Sequence, residues 1–318
     1  MLAFFIFRRL IFALATLLGA TVVVFLVTDI LPGDPAQVIL GVNAAEDTLA
    51  ALREQMGLNR PVVVRYLDWL GALAQFDLGT SYTYSVPVTE LVGERLFISL
   101  PLTIMALTVS TAIAIPVGVL AASRRNGTLD VLTMAITQLG IAVPNFWIAL
   151  LLVLVFALSL SWFPAGGFAG WENGIGGVLH SLFLPAVALA APQASVLARI
   201  MRSSLLDVSQ EDFIRTAHAK GLPPQQVLWQ HGVRNALIPV LTIMGLQFSF
   251  LIAGTIVIEN IFYIPGLGRL IFQAIAQRDL VVVQGVILLL VAAVVTVNLM
   301  VDVAYALVDP RIRAGLHE

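Results

Sequence analysis

An all-α integral membrane protein with six transmembrane helices is the fold class that this sequence of 318 residues predicts. Hydrophobic residues make up 59% of the chain and charged residues 11%. The mean hydropathy of +0.96 marks more apolar surface than a soluble domain can bury. The apolar residues gather into runs near the length a helix needs to cross a bilayer core about 30 Å thick, where no backbone group can be left unpaired. Neither Lys nor Arg interrupts these runs, and the ionisable residues cluster between them.

The predicted spans are 10–28, 97–123, 131–159, 181–198, 236–258 and 281–301. The first follows Arg8 and Arg9 as a signal peptide would. It reaches Asp29 and Pro32 without a small-residue cleavage site, so it reads as a retained helix. Segment 31–96 is too long for a connector and alternates acidic and apolar positions, which predicts short helices outside the membrane. Segment 162–177 is rich in glycine and aromatic residues, as an irregular loop near the headgroups should be. In 262–280, Pro265-Gly266-Leu267-Gly268 signals a turn ahead of a short amphipathic stretch. Pro101, Pro116, Pro144, Pro185, Pro192 and Pro239 are candidate kinks.

Orientation follows from the cations. With the N-terminus in the cytoplasm, eleven fall inside, among them Arg8, Arg124, Arg202, Lys220 and Arg313, and six outside. Both termini of this multi-pass chain are therefore expected to be cytoplasmic. A net charge of −2 gives no basic patch for nucleic acid. No cysteine is present for a disulfide framework or thiolate metal site, and His180, His218, His231 and His317 lack metal-ligand spacing.

The inner loop 206–235 carries the most local information. Ser209 is placed to cap a short helix, with Asp212 three residues on, while Gly221, Pro223 and Pro224 stop it after about three turns. Ala217 and Ala219 would let a partner surface approach closely, and Arg215 and Lys220 could pair with acids there. The plainer alternative is an amphipathic loop resting on membrane lipid.

The stretch Arg215-Thr216-Ala217-His218-Ala219-Lys220-Gly221-Leu222, followed by His231-Gly232-Val233-Arg234-Asn235-Ala236-Leu237-Ile238-Pro239, resembles the cytoplasmic loop of peptide-type ABC importer permeases, the dipeptide, oligopeptide and nickel group. Further marks run in order along the chain. They include Leu31-Pro32-Gly33-Asp34-Pro35, Gly57-Leu58-Asn59-Arg60-Pro61, Asp77-Leu78-Gly79, Glu259-Asn260-Ile261-Phe262, Arg278-Asp279 and Asp309-Pro310-Arg311-Ile312-Arg313. The resemblance implies a type I ABC importer permease fold over 1–318, with an extended outer segment at 31–96 and a coupling loop at 206–235. In that family the loop docks into a cleft of an ATPase subunit, which here would engage Arg215, Thr216, Ala217, His218, Ala219, Lys220 and Gly221.

The implied function is half of a translocation pathway for di- or oligopeptides or similar small solutes, working by alternating access. Near relatives carry nickel chelates, glutathione or sugars. Implied partners are a second homologous permease, normally in a heterodimer, two ATPase subunits and an extracytoplasmic substrate-binding protein. The implied location is a bacterial or archaeal cell (inner) membrane. Two departures stand out. Arg215-Thr216-Ala217 occupies the place of the Glu-Ala-Ala of many such loops, and no proline follows Arg278-Asp279, which leaves that turn open.

Lys220 is the only lysine, and it lies between Ala219 and Gly221, so the chain has no P-loop. It is expected to hold no cofactor and no catalytic residue, with ATP and Mg on partner subunits. Gln138, Asn145, Gln193, Gln247, Asn298 and Asp302 are polar positions within the spans, suited either to lining a pathway or to bonding helices together. An ion-coupled secondary transporter or channel is the rival reading, and it would ask for paired charges in mid-membrane.

Overall fold

The computed structural model describes residues 2–30, 35–41 and 44–308. The motifs at 31–34 and 309–313 lie outside them. Every long apolar run is helical, because a helix satisfies its own backbone where water is absent. Among the described residues, five helices are long and apolar enough to cross a membrane. A sixth candidate is a pair of helices bent by 99° at a short break.

The chain divides into two compact units, 1–99 with 265–318, and 100–264. In the first, α1 (Leu2–Ile30) packs along α13 (Leu280–Val308). Arg9 pairs with Asp302 at 3.1 Å, and the Gln284 amide donates to the Thr28 hydroxyl at 2.6 Å. Three short helices follow α1, as expected of the long segment: α2 (Pro35–Leu40), α3 (Glu46–Gln55) and α4 (Val62–Leu73). Glu46 and Asp47 open α3 and Arg53 closes it, each sign at the favourable end of the helix dipole. Helix α4 seats on α1 through aromatic rings, Tyr66 at 5.4 Å and Trp69 at 5.6 Å from Phe25. The Tyr66 and Thr21 hydroxyls bond at 2.9 Å, and Arg65 pairs with Asp29 at 2.5 Å.

The turn signal at 265–268 is real. Gly266 is extended ahead of α12 (Leu267–Ala276), and the Leu267 N–H donates to the Ser99 hydroxyl at 2.8 Å. The turn left open at Arg278-Asp279 needs no proline. Arg278 takes a φ of +56°, and the fully buried Asp279 accepts the Val282 N–H at the start of α13. Asp279 also accepts from the Ser81 hydroxyl at 2.6 Å and the Thr83 N–H at 3.0 Å, tying residues 81–83 to α13. Burial, and then the nearby Asp279 carboxylate, push the Tyr82 phenol above its usual pKa. It stays a neutral donor.

Helix α5 (Val88–Ser123) runs from the first unit into the second, unbroken across Pro101 and Pro116. The predicted span at 131–159 is instead two helices, α6 (Thr128–Ala142) and α7 (Asn145–Leu152), the latter continued by a π-helical turn at Val153–Ser159. Pro144 causes the break: its ring drives the preceding Val143 out of the helical region, to φ −84° and ψ 122°. Of the six candidate prolines, only Pro144 interrupts its helix.

Irregular chain follows, with Phe163 stacked on His180 at 5.0 Å and on Phe183 at 4.9 Å. Helix α8 (Gly174–Val208) then exceeds the predicted 181–198 at both ends. It is the centre of this unit, packing on α6, α7 and α11 (Arg234–Ile261). Ala114 and Val119 of α5, Met201 and Leu205 of α8, Val240 of α11 and Val233 just before it form one buried cluster.

Close approach of α5 to α8 depends on Gly118. A Cβ there would lie 2.7 Å from both the Ala198 carbonyl oxygen and the Met201 Cβ. Gly118→Leu is therefore expected to cost about 1–3 kcal/mol or more through overpacking. Thermal unfolding of the purified protein in detergent reads it, and a variant as stable as the parent would show that α5 can move away freely.

Candidate coupling site

The loop between α8 and α11 is built from hydrogen bonds and one small apolar cluster. Ser209 ends α8, with its N–H and its hydroxyl both bonded to the Leu205 carbonyl at 3.0 and 2.5 Å. It is not the cap of the next helix. That helix, α9 (Asp212–Ala219), has the extended Glu211 at its N-cap position with no side-chain capping bond, and is two turns long, not three. Two further turn bonds, from Gln210 to Asp207 and from Glu211 to Val208, use up the intervening residues.

The stop at Gly221 is as expected, and its geometry is a Schellman motif. Gly221 has φ +79°, its N–H bonds the His218 carbonyl at 2.9 Å, and the Leu222 N–H bonds the Ala217 carbonyl at 3.4 Å. The left-handed φ at Gly221 lets the chain reverse without a Cβ penalty. Pro223 and Pro224 then start α10 (Pro224–Gln226), which continues as a π-helical stretch, Val227–Val233, directly into α11.

Helix α9 is amphipathic, and its buried side fixes its orientation. Ile214, Ala217 and Val227 form a cluster with Val208 and Leu222 packed against it. Ala217 therefore faces inward. It is 5% exposed and closes the seat of α9 on its own chain, so it cannot be the residue that lets a partner approach. Arg215, Thr216, His218, Ala219, Lys220 and Gly221 are exposed, as are Phe213 and Trp229. Arg215 meets Asp212 at 3.3 Å, but the side chains are 77% and 94% exposed, so this pair adds little stability and leaves the guanidinium available. The Thr216 hydroxyl is held by the Asp212 carbonyl at 2.9 Å.

Two residues of the π-helical stretch secure the base. Gly232 is buried where a Cβ would come within 3.1 Å of Leu205. The Asn235 amide donates to the His231 carbonyl at 2.6 Å. At the same end of α8, Arg202 makes a two-pronged ion pair with Asp130 of α6, at 2.6 and 2.7 Å. Asp130 also accepts the N–H of Asn126, which sits at φ +61°. Sequence reasoning counted Arg202 only as a loop cation and missed Asp130. Its place three residues after Gly127, at the start of an apolar helix, was the available signal.

The polar residues within the spans do not converge on one site. Gln247, 2% exposed, donates to the Gln193 carbonyl at 2.8 Å and joins α11 to α8, while its own carbonyl oxygen is buried without a partner. Gln138 accepts from Arg199 at 3.0 Å. Asn145 opens α7, its amide nitrogen 3.3 Å from where a Cβ on Gly254 would lie. Asn298 is half-buried on α13, one turn before the Asp302 that pairs with Arg9. Among the described residues no group of His, Cys, Asp and Glu is arranged to hold a metal ion.

Comparison with known proteins agrees with this architecture. Residues 114–314 match the family described as binding-protein-dependent transport system inner membrane component, and residues 1–104 match the N-terminal component of the same system. A protein of Brucella melitensis named as a peptide transport system permease is 43% identical, over 98% of this chain and 99% of its own length. The glutathione transport system permease of Salmonella typhimurium is 40% identical, over 97% and 98%. Among solved structures, an amino acid ABC transporter shares the fold, with a TM-score of 0.52 at 16% identity, over 69% of this chain and 95% of that one. The chain belongs to the binding-protein-dependent transport inner membrane component family, and is a multi-pass permease subunit of an ATP-binding-cassette importer.

Proposed function

We propose that this permease forms half of a pathway for short peptides, pairs with a second homologous permease, and is driven through α9 by an ATPase subunit on the cytoplasmic side. The observation that carries the reading is α9 itself. It is a two-turn helix locked by Ile214, Ala217 and Val227, with Arg215, Thr216, His218, Ala219 and Lys220 turned outward. An exposed element seated on Val227, at the start of the π-helical stretch that runs directly into α11, is suited to carry displacement from a partner into the membrane helices. ATP and Mg stay on the two ATPase subunits, since this chain lacks the lysine and glycine pattern that cradles phosphate. Both termini are then cytoplasmic, segment 31–96 faces outward, and an external binding protein delivers the solute.

Peptides are favoured by the Brucella relative, and glutathione, itself a tripeptide, by the Salmonella one. Proteoliposomes holding the full complex and its binding protein test the reading. Enclosed MgATP should drive accumulation of labelled tri-alanine, with unlabelled glutathione added to measure competition. Uptake that runs on an ion gradient without ATP would overturn it in favour of an ion-coupled carrier.

A further inference from the structure

A cavity of about 490 Å³ opens in the first unit, between the end of α1, the turn after α3, helix α4, residues 77–82 and the start of α13. That is the size range of small-molecule sites. Its apolar wall is formed by Phe25, Trp69 and Met56, and Phe25 is held rigid by its contacts with Tyr66 and Trp69. Its polar lining is charged and unbalanced. Asp29 is answered by Arg65 at 2.5 Å and Asp68 by Arg60 at 2.9 Å, but no cation pairs with Asp77 among the described residues.

The Asp77 carboxylate is held in position nonetheless. One oxygen accepts the Gly79 N–H at 2.8 Å, in a turn that Gly79 completes at φ +83°. The other is left for a ligand. On the Arg65 side of the lining, the guanidinium Nε is buried with no acceptor, a donor that the protein itself leaves unspent. Aromatic faces beside an unpaired carboxylate favour an organic cation, whose charge meets the acid while its carbon body covers the rings.

We infer that this cavity binds a small solute carrying a free ammonium group, with the ammonium on Asp77 and the apolar body against Phe25, Trp69 and Met56. The inference rests on the peptide reading above, because the N-terminus of a short peptide is such a group. It adds a stop on the permease itself, on the segment assigned to the outer side.

Saturation-transfer NMR on the complete complex, without nucleotide or binding protein, tests it with tri-alanine and N-acetyl-tri-alanine as probes. Asp77→Asn is the informative variant, since an amide oxygen still accepts the Gly79 N–H while the charge is gone. Tri-alanine should give a signal about fivefold stronger than the acetylated peptide, from one partly solvated charge pair, and lose that advantage in Asp77→Asn. Glu172→Gln, a carboxylate change in the other unit, should leave it intact. Equal signals for the two peptides, or an unchanged signal in Asp77→Asn, overturn the inference. ATP-driven tri-alanine uptake by the same preparation separates the two failures. Uptake without an Asp77-dependent signal removes only this cavity's role, whereas absent uptake removes the peptide reading beneath it.

Discussion

Arg202→Ala is expected to destabilise the protein by about 3–5 kcal/mol, the largest loss of any single substitution considered, because it strands a buried carboxylate. Asp130 is 3% exposed and takes two hydrogen bonds from Arg202 and one from the Asn126 N–H. Without the guanidinium it retains one donor, the Asn126 N–H, and only the weaker influence of Arg125 as countercharge. The loss should appear as a melting point lower by about 6 °C or more for the detergent-purified protein. Removing both charges tests the cause. Replacing Asp130 by Leu and Arg202 by Met together should recover most of the loss, since an apolar pair of similar bulk carries no desolvation cost. A single variant as stable as the parent would mean that water reaches Asp130 freely and that the pair merely decorates the surface.

The second large effect concerns transport. Ala219→Arg should cut ATP-driven uptake by about tenfold or more, by pushing a docking partner off the exposed face of α9, a loss of at least about 1.4 kcal/mol in that contact. Ala219 is exposed, so the melting point should not move. Ala217→Arg is the opposite case. It buries a cation between Ile214 and Val227, and should lower stability before any question of docking arises. Uptake, copurification of the ATPase subunit and melting point, measured side by side, separate the two. Full uptake and assembly in Ala219→Arg would exclude this face as the contact.

Much of this was legible in the sequence because membrane helices announce themselves by length and composition. The runs at 10–28, 97–123, 236–258 and 281–301 all lie inside observed helices. So did the short helices after α1, the turn at Pro265-Gly266 and the glycine stop at Gly221, each of which rests on local chemistry. What failed was whatever depends on a neighbour. Hydropathy could not show that 131–159 bends at Pro144, while five other prolines sit in unbroken helices, since the outcome turns on whether packing makes up for the missing N–H. Spacing could not tell which side of a two-turn helix faces its own chain, so Ala217 looked available when Val227 covers it. Ser209 had the right chemistry for a cap, but the preceding helix used it first. Asp130 and Arg202 are 72 residues apart, and no local pattern joins them.

The π-helical stretch Val227–Val233 has a consequence for how the loop tolerates change in length. A π turn takes up about one more residue than an α turn, and one residue of an α-helix corresponds to about 100° of rotation. This stretch therefore sets the angular phase between the Val227 contact with α9 and the Val233, Ala236 and Val240 stripe that meets α8. Deleting one residue here would let an ordinary helix form, with better hydrogen bonds than before. Such a deletion would leave α11 near its present phase, whereas forcing the full stretch into an α-helix would turn α11 by about a quarter of a circle or more, presenting Leu241 or Leu246, now exposed, where the stripe should be. The distance from Gly221 to Arg234 is thus set by phase rather than by reach, and insertions are better accommodated at the exposed Gln210 turn, where no helix must keep time with another.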